Sequence, residues 1–197
     1  EVNPDYLDYL DTLTQNRPYL RVGYTDSQHN QSYPPEVKFD TVVGLNVIEH
    51  LADDLLALQN IRQALLHGGR AIVLVPAGPG LFGTLDKVLG HQRRYSRDQI
   101  AALAERAGFT VETVLPFNRA GAIGWWLNGN LLRRSTLGLW QIKLLNLLTP
   151  LLRRLDRWLP LPPLSWIAVL RNPVAVPSES QSGWPAPAEQ TVTAGIQ

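Results

Sequence analysis

A run of imidazole, guanidinium and phenol side chains lies near the middle of this 197-residue chain. The run spans residues 91–96 (HQRRYS), and four glycines lie in the stretch before it: Gly78, Gly80, Gly83 and Gly90. Because guanidinium groups bind phosphate and carboxylate in a bidentate manner, Arg93 and Arg94, together with Tyr95, are predicted to contact an acceptor molecule. The glycines would let this loop close over a site as a lid. A solvated basic turn before a helix is the equally favoured alternative.

The pair Glu49-His50, which follows a short apolar run, is the second place where chemistry can occur. Histidine changes its charge near neutral pH and can act as a base, so His50 and His91 are the candidate catalytic residues. The alternative is that Glu49 and His50 cap and orient a helix that begins near Asp53. The histidines lack the HxxxH spacing of a metal site and the chain has no cysteine, so no bound metal is predicted.

Strand-like and helix-like patterns alternate along the chain. Apolar runs predict strands at residues 19–22, 39–45, 70–75, 109–115 and 166–171. Apolar stripes predict helices at residues 4–13, from Asp53 to a stop at Gly68-Gly69, and from an N-cap at Ser96 to Gly108. This alternation predicts an α/β fold with a mainly parallel sheet, in which ligands bind at the carboxyl ends of the strands.

Three segments together resemble the class I S-adenosylmethionine-dependent methyltransferases of the small-molecule and lipid type. They are FDTVVGLNVIEHLADD, LLHGGRAIVLVPA and YSRDQIAALAERAGF, which begin at Phe39, Leu65 and Tyr95. The resemblance implies a Rossmann-like sheet flanked by helices, with an antiparallel last strand. The predicted division of the chain is a partial methyltransferase core (1–115), an amphipathic helical insertion (116–163), the last core strand (164–172) and a tail whose composition predicts disorder (173–197).

The resemblance also implies S-adenosylmethionine as the cofactor. Glu1 resembles the acid that accepts both ribose hydroxyls, Asp26 and Ser27 resemble the pair that contacts adenine, and Asn46 follows the strand that lines the cofactor. A frayed terminus at Glu1 and an Asx-turn at Asp26 are the alternatives. The family's first strand and glycine-rich loop would precede Glu1, so we expect a fragment that binds the cofactor weakly. Methyl transfer can proceed by positioning alone, without a catalytic base.

The segment 116–163 carries seven basic residues and one acid, Asp156, whereas the remainder of the chain is net negative. Two stretches in it predict helices rich in leucine and tryptophan, and Thr149-Pro150 predicts a break that divides the second stretch into two helices. A leucine and tryptophan face beside basic residues is typical of helices at an anionic membrane surface. A helical lid that packs on the domain or on a second copy is the alternative.

These features predict an enzyme that transfers a methyl group to a hydrophobic or lipid-linked acceptor. We expect it in the cytoplasm, with peripheral association at the inner face of the membrane. A non-catalytic membrane-binding module or regulatory fragment is the alternative. No nucleic-acid partner is predicted, because the sequence lacks a recognition-helix motif. The sequence leaves the oligomeric state and the identity of the acceptor open.

Overall fold

The computed structural model describes residues 4–14, 17, 19, 38–134, 136 and 138–174 of the chain. Within them the elements are, in chain order, α1 (Pro4–Thr14), β1 (Phe39–Leu45), α2 (Asp54–Ala64), β2 (Leu65–Pro76), α3 (Thr84–Val88), α4 (Arg97–Arg106), β3 (Thr110–Phe117), α5 (Arg119–Trp125), α6 (Leu139–Leu155) and β4 (Ser165–Arg171). A 3-10 turn at Ile48–His50 follows β1, and α5 continues as a π-helical turn at Trp126–Leu131. Most of the predicted strand at 19–22 and nearly all of the predicted tail at 173–197 lie outside the described residues.

The described strands form one sheet in the order β1-β2-β4-β3. β1 and β2 are parallel, with Val43 beside Ile72, whereas β4 is antiparallel to both β2 and β3. The predicted α/β fold with an antiparallel last strand is confirmed. In the described part of the sheet the only parallel pair is β1–β2, because β4 lies between β2 and β3, so the expectation of a mainly parallel sheet does not hold there.

Helices α2 and α4 supply the main core on one face of the sheet. Leu58 of α2 and Ile100 of α4 are completely buried, as is Leu170 of β4, and Val73 of β2 is nearly so. Burial of an apolar side chain of this size stabilises a fold by about 1.5–3 kcal/mol. This core holds the sheet and the two helices rigidly beneath the loops that carry the candidate residues.

The predicted capping residues begin both of these helices. Asp53 Oδ1 accepts a hydrogen bond from the Leu56 N–H at 2.8 Å. Ser96 Oγ accepts from the Gln99 N–H at 3.1 Å, and Gln99 Oε1 accepts from the Ser96 N–H at 2.8 Å. A cap of this kind contributes about 1 kcal/mol to stability. The caps therefore fix the points at which the chain leaves the two loops and enters α2 and α4.

Strand β2 begins at Leu65, before the predicted start at residue 70, and α2 ends at Ala64 rather than at the predicted glycine pair. Asn172 explains the difference. Its side-chain amide donates to the Leu65 and Leu66 carbonyls at 3.2 and 3.1 Å, and its backbone N–H and carbonyl bond to the two glycines. These contacts hold the segment in an extended conformation, and no local pattern could predict a partner so distant in sequence.

Helix α6 continues through Pro150, so the predicted break at Thr149-Pro150 is wrong. A proline removes one N–H from the helical ladder, and on an exposed helix water can satisfy the carbonyl that is left free. Thr149 does not cap a second helix. Its hydroxyl donates instead to the Leu145 carbonyl at 2.7 Å, one turn back along the same helix.

Candidate functional site

The loop between β2 and α4 carries four of the six candidate residues that the structure describes, and its two ends lie side by side. The Tyr95 N–H donates to the Pro76 carbonyl, and the Gly78 N–H donates to the Tyr95 carbonyl, both at 2.9 Å. Pro76 is the last residue of β2. The loop therefore begins and ends at the carboxyl edge of the parallel strands, where α/β folds bind their ligands.

Gln92 holds this loop against the 3-10 turn that follows β1. Its backbone N–H donates to the Glu49 carbonyl at 2.9 Å, and its side-chain amide donates to the His50 carbonyl at 2.8 Å. These bonds bring His91 beside His50, with the ring centroids 4.8 Å apart in an edge-to-face arrangement. The two predicted catalytic candidates, which come from different loops, are therefore neighbours.

Asp86, in α3, is completely buried between these groups and accepts hydrogen bonds from four donors. Its Oδ1 accepts from His91 Nδ1 at 2.8 Å and from Arg94 Nε at 2.7 Å. Its Oδ2 accepts from the Gly83 N–H at 2.9 Å and from Trp125 Nε1 at 3.2 Å. Burial acts to raise the pKa of Asp86, but these hydrogen bonds and the charge of Arg94 outweigh it and hold the pKa below its ordinary value. Because the carboxylate is ionised, His91 Nδ1 carries a proton, and the neutral form of the ring then has its lone pair on Nε2.

Glu49 is also completely buried, and within the described structure neither of its carboxylate oxygens has a hydrogen-bond partner. Its Oε1 lies 4.0 Å from His91 Nε2. Burial raises the pKa of the Glu49 carboxyl, against smaller opposing effects of its own backbone, His91 and Arg94. The side chain does not cap α2, because Asp53 occupies that position. A buried acid without a partner requires an explanation beyond packing.

Trp125, at the end of α5, brings the helical insertion into the site. Its ring lies parallel to that of His91, with an interplanar angle of 6° and a centroid separation of 6.4 Å. The Arg94 guanidinium lies 4.7 Å from the Trp125 ring centroid, a cation–π contact that contributes about 0.5–2 kcal/mol. With its hydrogen bond to Asp86, the indole makes contacts with three members of the buried group.

The predicted acceptor-binding residues all make contacts within the chain. Arg94 is paired with Asp86, and burial lowers the pKa of its guanidinium. Arg93 pairs with Asp54 at 2.8 Å, and the Tyr95 hydroxyl donates to the same carboxylate at 2.9 Å. Burial and the Asp54 charge raise the pKa of Tyr95. These side chains hold the loop in place, and their contact with an acceptor stays a prediction.

The arrangement can perform two kinds of chemistry. The Nδ1 of His91 is held by a carboxylate while its Nε2 keeps a lone pair, which is how a histidine is oriented to act as a general base. His91, His50 and Glu49 each also offer one atom that could bind a divalent metal ion.

A family model described as a methyltransferase domain matches residues 14–114, just over half of the chain. The chain belongs to this family. The predictions of a class I S-adenosylmethionine-dependent methyltransferase, and of S-adenosylmethionine as its cofactor, are confirmed by this match. Among curated proteins, none matches the chain at a significant level.

Solved structures share the fold at low sequence identity. A SAM-dependent methyltransferase from Archaeoglobus fulgidus is 14% identical, with a TM-score of 0.52 over 87% of this chain and 73% of that one. The N-methyltransferase NodS from Bradyrhizobium japonicum, solved with S-adenosyl-L-homocysteine, is 13% identical, with a TM-score of 0.51 over 88% and 64%. The [4+2]-cyclase SpnF is 14% identical, with a TM-score of 0.55 over 88% and 64%. The name of the cyclase indicates that this fold also carries other reactions, so these similarities concern the fold alone.

In this methyltransferase the cofactor is expected at the carboxyl end of β1. Asn46 is exposed there, with a left-handed backbone (φ 54°), and a Cβ built on Gly44 would meet no atom within 4 Å. An exposed amide beside open backbone fits a ligand that approaches the chain closely. S-adenosylmethionine supplies an activated methyl group on its sulfonium, and contact of Asn46 with this cofactor stays a prediction. Glu1, Asp26 and Ser27 lie outside the described residues, so their cofactor contacts stay predictions.

Sequence reasoning missed the roles of Asp86, Trp125 and Glu49. Asp86 lies five residues before His91, a spacing with no helical or strand meaning in a glycine-rich loop. Trp125 belongs to a segment whose composition predicts a membrane surface, so its inward contact was not expected. The signal that was available is that Asp86 is the single acid among residues 77–95.

Proposed function

We propose that this methyltransferase transfers a methyl group from S-adenosylmethionine to an apolar or lipid-linked acceptor at the cytoplasmic face of a membrane. One observation carries the proposal: the end of α5 contributes Trp125 to the buried group around Asp86, while the residues that follow form an apolar surface open to solvent. An acceptor bound to that surface would lie beside Trp125, whose ring is stacked on that of His91. The enzyme would then reach it without extracting it fully into water.

The insertion surface, defined as the exposed side chains within residues 123–158, is rich in leucine and tryptophan. Leu139 and Leu147 are each 77% exposed, and Trp158 is 73% exposed. Exposed cations lie on the same segment: Arg133, Arg134, Lys143, Arg154 and Arg157. None of the helices in the described part of the chain is long and apolar enough to cross a membrane. Apolar side chains beside cations are typical of helices that lie in the membrane interface.

Two cavities beside α5 offer room for an acceptor. The larger, of about 710 Å³, lies between the end of β3, the start of α5 and helix α6, and its charged lining residues are two cations, Arg119 and Arg157, and one acid, Asp156. The smaller, of about 270 Å³, is lined by apolar side chains that include Leu81, Ile123 and Trp126. An acceptor with a long apolar chain and an anionic group matches these linings better than a small polar metabolite does.

Transfer of a labelled methyl group tests the proposal. The chain is incubated with S-adenosylmethionine carrying a tritiated methyl group and with vesicles of a total polar lipid extract, and label is measured after extraction into organic solvent. We expect label in the organic phase that depends on the protein. Label that appears only in water-soluble amines or alcohols, supplied in a parallel reaction, would contradict a lipid-linked acceptor while leaving the methyltransferase assignment intact.

A further inference from the structure

We infer that Glu49, His50 and His91 form a binding site for a divalent metal ion of the first transition row, such as Mn²⁺, Fe²⁺ or Zn²⁺. Each residue offers one ligand atom, and these atoms all lie within 4.8 Å of one another. Glu49 and His91 are buried and His50 is partly buried. The spacing along the sequence points away from such a site, but the loop that carries His91 is folded onto the turn that carries the other two residues.

Hydrogen bonds fix the tautomers of both histidines in the form that a metal requires. His91 Nδ1 donates to Asp86 Oδ1 at 2.8 Å, and His50 Nδ1 lies 3.2 Å from the Gly90 carbonyl, which can only accept. In each ring the lone pair is therefore on Nε2. A ligating histidine nearly always donates its other ring N–H to a carboxylate or a backbone carbonyl. Here His91 has the carboxylate partner and His50 has the carbonyl partner.

Glu49 supplies the strongest reason to place a cation here. Its side chain is completely buried and neither oxygen accepts a hydrogen bond within the described structure. The buried cation nearby, Arg94, is already paired with Asp86 through Nε at 2.7 Å. Protonation would remove the charge of Glu49, but the lone pair on His91 Nε2 is 4.0 Å from Oε1, which is beyond hydrogen-bond distance. A metal ion bonded to the carboxylate satisfies both its charge and its lone pairs.

The donor set indicates the kind of metal. Two imidazole nitrogens and one carboxylate oxygen suit Zn²⁺, Fe²⁺ and Mn²⁺, whereas Ca²⁺ prefers oxygen donors alone. Three protein ligands leave coordination positions open to water or to an atom of the acceptor, as in catalytic rather than structural metal sites. Asp86, behind His91, would act as the positioning residue that makes this imidazole a better donor.

Direct binding measurements test the site. The full chain is stripped with a chelator, and binding is measured for Mn²⁺ by electron paramagnetic resonance and for Zn²⁺ by titration calorimetry. We expect one ion per chain for at least one of the two metals, and an affinity at least about tenfold lower in Glu49→Gln and in His91→Ala. His67→Ala is the matched control, because His67 is exposed and its Nδ1 contacts only the Pro173 carbonyl among the described bonds.

Thermal unfolding supplies a second readout that does not depend on turnover. Because Glu49 has no hydrogen-bond partner to lose, Glu49→Gln is expected to fold. This variant therefore still tests the site if His91→Ala does not fold. The bound ion should raise the Tm of the wild-type chain and leave that of Glu49→Gln unchanged. Absence of one-to-one binding of both ions to the wild type, or equal affinity in Glu49→Gln, overturns the site. Neither measurement uses cofactor or lipid, so failure here is separate from failure of the proposed acceptor.

Discussion

Asp86 joins two distant parts of the chain at one carboxylate. Its donors come from the loop between β2 and α4 (Gly83, His91 and Arg94) and from α5 (Trp125). The side chains of Asp86 and Arg94 are 0% and 1% exposed, so they form a buried ion pair. Removal of one partner from such a pair leaves the other charge buried and uncompensated. The position of His91 and the stability of the loop therefore depend on the same carboxylate.

Replacement of Asp86 by Asn should lower the free energy of unfolding by about 3–5 kcal/mol, since the amide cannot neutralise Arg94. Urea denaturation followed by circular dichroism measures the change. Glu112→Gln is the control, because it removes an ion pair with Arg70 (2.9 Å) that lies at the protein surface. We expect the control to unfold near the wild-type midpoint. Equal losses in the two variants would show that the Asp86 pair contributes no more than a surface pair.

The predicted cofactor contacts of Glu1 and Asp26 can be tested one residue at a time. If Glu1 accepts the ribose hydroxyls and Asp26 the adenine amine, each charged hydrogen bond contributes about 1.5–3 kcal/mol. Glu1→Ala and Asp26→Ala should each weaken binding of S-adenosylmethionine at least about tenfold, measured by calorimetry. His67→Ala, at an exposed position with no predicted cofactor contact, should bind as the wild type does. Unchanged affinity in both alanine variants would remove these residues from the cofactor site.

The helical segment that begins with α5 packs closely on the loop between β2 and α4, and the contact requires a glycine at position 83. A Cβ built on Gly83 would lie 2.9 Å from Asn130 Oδ1 and 3.0 Å from the Gly129 carbonyl. At this crossing α5 has become the π-helical turn Trp126–Leu131, and π-helical turns often occur at functional sites. Asn130 also donates to the Phe82 carbonyl at 3.3 Å. These contacts join the π-helical turn directly to the loop between β2 and α4.

Gly83→Ala should separate this pair of elements. The added methyl group has no room against the Gly129 backbone, and overpacking of this kind costs about 1–3 kcal/mol. Gly80→Ala is the matched control, because a Cβ built there meets nothing within 4 Å. Thermal unfolding should show a lower Tm for Gly83→Ala alone. If Gly80→Ala were as unstable as Gly83→Ala, the loss of stability would not arise from contact with α5.

Elements set by local patterns were predictable from the sequence, and those set by distant partners were not. The bounds of β1 follow from the mostly apolar run FDTVVGL, and the start of α4 follows from the Ser96 and Gln99 pair. The early start of β2 depends on Asn172, which is 107 residues from Leu65. Likewise, His50 and His91 were identified by residue type, but their meeting depends on Gln92 and on the fold of the whole loop.

At the scale of the whole molecule, charge and apolar exposure coincide on the insertion surface. The segment 116–163 holds seven of the 18 basic residues and one of the 17 acids. Exposed leucines and tryptophans contribute about 25 cal/mol for each Å² that they bury. Each cation near an anionic surface adds about 1 kcal/mol. We expect the two effects together to hold the enzyme on an anionic membrane.

Salt and charge removal should both weaken that membrane association. Screening acts over about 8–10 Å at physiological ionic strength, so co-sedimentation with phosphatidylglycerol vesicles should fall as salt rises. The double variant Arg154→Gln with Arg157→Gln should bind less than the wild type. Arg97→Gln with Arg106→Gln makes the same change in net charge on α4 and should bind normally. A wild-type chain that stays in the supernatant at low salt would assign the insertion to a lid or a dimer contact.

Turnover of Glu49→Gln is the measurement that bears most directly on where methyl transfer occurs. The rate of tritiated methyl transfer to the total polar lipid extract is compared for the wild type, Glu49→Gln and His67→Ala, alongside their affinities for S-adenosylmethionine. Because the acceptor is expected to react beside Glu49, His50 and His91, we predict that Glu49→Gln lowers turnover at least about 100-fold without weakening cofactor binding. His67→Ala should keep full activity. Wild-type turnover in Glu49→Gln would place the chemistry away from this cluster and contradict the proposed site.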